Sequence, residues 1–77
     1  LPIYDPTAKS ALLTQEGESN AISDLNEGNI RILTTVEPSE EQISFAENNS
    51  FEFKVYEGNK YYREAYNEVV IDFLNKK

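Results

Sequence analysis

The apolar positions after Asn59 come in pairs four residues apart: Tyr61 and Tyr62, Ala65 and Tyr66, Val69 and Val70, Phe73 and Leu74. That spacing lays one stripe along a helix and does not fit strand alternation. Arg63, Glu64, Asn67, Glu68, Asp72 and Asn75 fill the opposite face, and Lys76 and Lys77 stand where a helix C-terminus favours cations. The pattern predicts a long amphipathic helix over about 60–75. Val69-Val70-Ile71 is its least helical stretch, because β-branched side chains are stiff. Ile71 also widens the stripe, which implies burial on two sides, within the domain or against a second copy.

Such a helix needs a layer to lie on. Two segments read as strands. Residues 29–36 (NIRILTTV) are rich in β-branched residues and bounded by Gly28 and Pro38. Residues 50–57 (SFEFKVYE) alternate, with Phe51, Phe53 and Val55 on one face and Glu52, Lys54 and Tyr56 on the other. Gly58-Asn59 is a turn, and a hairpin continuing into a third strand over 60–66 competes with the helix there. The expected fold is α+β: a small antiparallel or mixed sheet of two to three strands, the C-terminal helix across one face, and one or two short helices.

One short helix is expected over about 6–14, started by Asp5 as N-cap and Pro6 at the first helical position. Residues 1–5 read as extended, and the polar stretch 15–20 (QEGESN) reads as a loop. Ile22 and Leu25 suggest a further helical turn ending near Gly28. Ser39-Glu40-Glu41-Gln42 is a capping box that opens a second short helix over about 40–47. The whole chain, 1–77, is one domain's worth of sequence.

Composition narrows function by subtraction. There is no Cys and no His, so thiolate and imidazole chemistry, and zinc sites built on either, are closed to the chain acting alone. Gly17, Gly28 and Gly58 are isolated and form no phosphate-cradling loop. Glu40 and Glu41 are helix neighbours whose side chains diverge, which suits no acid–base pair. A calcium loop counted from Asp24 fails at its sixth and twelfth positions, Asn29 and Thr35. Asn48-Asn49-Ser50 is a glycosylation triplet that arises by chance. No catalytic residue, metal site or cofactor is expected. Fourteen acids against seven bases give a net charge of −7, which repels nucleic acid and anionic membranes. No apolar run approaches a membrane span. The start at Leu1 instead of Met leans towards an exported or processed precursor.

What remains is contact surface. The segment 37–52 carries Glu37, Glu40, Glu41, Glu47 and Glu52 and no base. Tyr56, Tyr61, Tyr62 and Tyr66 cluster round one turn, and tyrosine suits interfaces because a large rigid ring is buried while its hydroxyl stays wet. The competing explanations are a solvated helix face for the acids and a core stripe for the tyrosines. The expected function is a small acidic protein-binding module, an inhibitor, accessory subunit or adaptor, whose partner presents a basic surface. Candidate contact residues are Tyr56, Tyr61, Tyr62, Tyr66, Glu37, Glu40, Glu41 and Glu47. The alternatives are a structural piece of a larger surface or particle protein, and a nucleic-acid mimic that blocks a DNA- or RNA-binding protein.

Overall fold

A computed structural model describes residues 6–76. Five elements follow in order: α1 (Pro6–Asn26), β1 (Arg31–Thr34), α2 (Glu40–Asn48), β2 (Glu52–Val55) and α3 (Lys60–Asn75). The α+β class stands. The expected extended segment 1–5 lies outside the described residues.

Local chemistry sets the boundaries. The α3 N-cap is Asn59, whose side chain accepts from the Tyr61 amide at 2.8 Å and the Tyr62 amide at 3.4 Å. The α2 capping box forms in full: the Gln42 amide donates to Ser39 Oγ at 3.2 Å, and the Ser39 amide donates to Gln42 Oε1 at 2.8 Å. Gly28 closes α1 at φ +81°, with Gly28 N–H to Leu25 O at 3.1 Å and Asn29 N–H to Asp24 O at 2.8 Å. Ser50 takes the equivalent left-handed place after α2 at φ +62°, a conformation that disfavours a side chain.

Two expectations are corrected. The sheet is neither antiparallel nor mixed: β1 and β2 are its two strands, and they pair in parallel, Arg31 opposite Glu52 through Thr34 opposite Val55. The reason lies in the connection. A helix stands between the strands, and a crossover through a helix returns the chain in its original direction. Both strands are also shorter than the expected 29–36 and 50–57. The third strand does not form, because residues 60–66 belong to α3. The second correction concerns α1. It is one helix of 21 residues, where a short helix, a loop over 15–20 and a separate turn were expected. Gly17, read as a loop residue, lies inside it. A Cβ there would stand 2.5 Å from Tyr62 O and 3.2 Å from the Ala65 Cβ. The glycine is where α3 comes closest, and that packing outweighs its poor helix propensity.

The elements form three layers. Leu33 and Tyr56 face α1 and α3, with Ala21, Leu33, Tyr66 and Val70 making the buried cluster. Burying a side chain such as Val70 contributes about 1.5–3 kcal/mol. Contacts advance together along α1 and α3, from Gly17 against Ala65 to Asp24 at Tyr66, so the two helices run in the same direction. On the opposite face, α2 touches β2 alone among the described elements.

Candidate functional site

The face of the sheet under α2 carries Ile32, Phe51 and Phe53. Strand alternation puts Phe51 and Phe53 there together, and the parallel register sets Ile32 beside Phe53. Phe45 of α2 meets Phe51 edge to face at 6.0 Å between centroids, and Phe51 meets Phe53 in the same manner at 5.3 Å. The last turns of α3 bring Ile71 and Leu74 to the far side. Between α2 and α3 lies an open groove of about 510 Å³, lined by these six apolar side chains with Asn49 and Asn75. Phe45 is 60% exposed and Ile71 46%. Two four-residue strands are too narrow a floor to bury three phenyl rings.

A second hollow, about 490 Å³, lies along the outer side of β2. Ile43, Phe53 and Val55 line it with Glu37, Glu47 and Glu52, and no basic side chain does. Among the described residues no three acidic side chains converge as they would round a metal ion. No helix among them is long and apolar enough to cross a membrane.

The predicted contact residues separate into two groups. Tyr56, Tyr62 and Tyr66 lie against the packed core and stack, with ring centroids 5.4 and 6.2 Å apart at interplanar angles of 19° and 24°. Tyr66 is 3% exposed. Its hydroxyl donates to Asp24 Oδ2, which also accepts from Arg31 Nη2 at 3.1 Å. Burial, then the hydrogen bond and the charge of Asp24, push the Tyr66 phenol up to about 12. Burial works against the Arg31 charge, but Tyr66 and Asp24 outweigh it and raise the guanidinium pKa. The Tyr62 hydroxyl accepts from Asn20 Nδ2 at 2.7 Å. Tyr61 points outward instead, 44% exposed, with Lys60 Nζ 5.7 Å from its ring centre.

The acids divide as well. Glu37 and Glu47 line the hollow beside β2, whereas Glu40 and Glu41 are exposed in the first turn of α2, where the helix dipole favours them. The structure thus brings Glu37 and Glu47 together with Glu52, and sets them apart from the tyrosine stack. Phe45, Phe51, Phe53, Ile71 and Leu74 are absent from the predicted contact set. One signal for them was present in the sequence, the stripe widened at Ile71. Comparison with protein-family models, with curated proteins and with solved structures returns no match.

Proposed function

We propose that this chain is a protein-binding module whose contact face is the groove between α2 and α3 together with the acidic hollow beside β2. The observation that carries the reading is the groove itself: phenyl and aliphatic side chains left half open on a molecule of net charge −7. Apolar surface gathered in a concavity and flanked by charge is the usual form of a recognition site. Glu37, Glu47 and Glu52 favour a partner that is basic beside its apolar anchor. On this reading the chain works by occupying a surface, as an inhibitor, accessory subunit or adaptor does. The phenyl lining also separates the reading from mimicry of a phosphate backbone, which needs carboxylates without rings between them.

Ile71→Glu places a charge in the groove at a side chain already 46% exposed, so folding tolerates it. In capture from the native extract, the wild-type chain is expected to retain a stoichiometric partner that the variant loses. Added salt slows association of the wild-type pair more than it speeds dissociation. Retention of the same partner by Ile71→Glu would remove the groove from the interface.

A further inference from the structure

The two borders of the sheet are finished differently. In a parallel ladder, alternate residues of each strand turn their N–H and C=O groups to the same neighbour. Glu52 N–H donates to Ile30 O at 3.0 Å and Tyr56 N–H to Thr34 O at 2.7 Å, so residues 52, 54 and 56 face β1. Phe53 and Val55 therefore turn their backbone groups away from it. Phe51 N–H is taken by Ala46 O at 3.0 Å. The open border thus begins at Phe53.

The outer border of β1 is blocked at Leu33. Leu33 N–H donates to Asn67 Oδ1 at 2.7 Å, and Asn67 Nδ2 donates to Leu33 O at 2.8 Å. The carboxamide takes the place that a neighbouring peptide group would occupy. Any extension of the sheet must therefore come at β2.

We infer that the β2 border is completed by an extended segment of a partner protein that is apolar at every second position and flanked by lysine or arginine. Three observations support this beyond the open hydrogen-bonding groups. A parallel sheet of two four-residue strands is smaller than sheets that stand alone. The space along the border is a hollow of about 490 Å³, floored by Ile43, Phe53 and Val55, which suits apolar side chains at every second position. Glu37, Glu47 and Glu52 round that hollow favour bases flanking the apolar run, whereas the positions between turn to the face that carries Lys54 and Tyr56. The glutamates also oppose a second copy, which would bring the same three carboxylates and another net charge of −7. The inference rests on the protein-binding reading above and specifies the occupant of part of its face.

The test uses a blocked synthetic peptide of alternating valine and threonine with lysines at both ends, titrated to millimolar concentration into the isotope-labelled chain. Amide exchange at Phe53 and Val55 is expected to slow at least roughly tenfold, with Leu33 unchanged. The same peptide with glutamate for lysine, or N-methylated at the border-facing amides, should give no protection. Val55→Pro removes a border N–H that β1 does not use, and should weaken peptide binding by about tenfold or more. Protection of Phe53 that survives peptide N-methylation would sink strand addition, as would no protection at millimolar peptide. Peptide-induced shifts at Phe45 and Ile71 with unchanged exchange at Phe53 and Val55 would sink it too, while leaving the groove reading intact. Protection that grows with protein concentration alone, with a doubled sedimenting mass, would assign the border to a second copy and overturn the inference.

Discussion

The two faces of the sheet differ in how completely they are covered. Towards α1 and α3, Val70 is fully buried, three tyrosine rings stack, and Gly17 lets two helices meet without a side chain between them. Towards α2, Phe45 and Ile71 remain half open around a groove. A chain of 77 residues has little apolar material to spare. Its distribution is therefore informative: one face carries the stability, and the other holds apolar surface that folding has not used. Substitutions on the two faces should separate accordingly.

The largest effect belongs to the packed face. Gly17→Ala gains up to about 1 kcal/mol of helix propensity, yet its new methyl meets the Tyr62 carbonyl, which is backbone and cannot swing aside. A net loss of roughly 1–3 kcal/mol is expected in denaturant unfolding, from a total on the order of 4–12 kcal/mol for a domain this size. A Gly17→Ala chain as stable as wild type would mean that α1 and α3 are not in close contact at that point.

Alkali should act on the same face, less severely. The Tyr66 phenol is raised from 10.0 to about 12 in the folded chain. Between those values the unfolded state has lost a proton that the folded state keeps. Stability is thus intact below pH 10 and declines as pH rises towards 12. Thermal unfolding followed across that window checks it. Tyr66→Phe should flatten the decline, because no phenol remains to titrate.

The smallest stability effect belongs to the open face. Phe45→Ala removes a ring that is mostly in solvent and one edge-to-face contact with Phe51, a cost below about 1 kcal/mol. Its effect on partner capture should be far larger than its effect on melting. A Phe45→Ala chain that melts much earlier, yet still captures the partner, would reverse the division between the faces.

Much of the helical framework could be read from residue order. The paired stripe of α3, the capping box of α2 and the helix stop at Gly28 each have a local cause, and local causes are visible in sequence. The continuity of α1 was hidden because its reason is remote. QEGESN looks like a loop until α3 is seen to require a glycine at position 17. The parallel pairing followed from information already present, since a helix between two strands implies a crossover. The open face was harder to see. Phe51 and Phe53 read as ordinary core residues of a strand, and only the narrowness of the sheet leaves them uncovered. The tyrosines divide: Tyr66 lies in the interior, held by Asp24 beside Arg31, while Tyr61 stands outward.

Asn67 gives the sheet a single valence. Whatever strand joins at β2, the ribbon ends at Leu33, where a carboxamide already occupies the main-chain donor and acceptor. Growth of a cross-strand filament needs two reactive borders on every subunit. A molecule with one can cap such a polymer and cannot lengthen it.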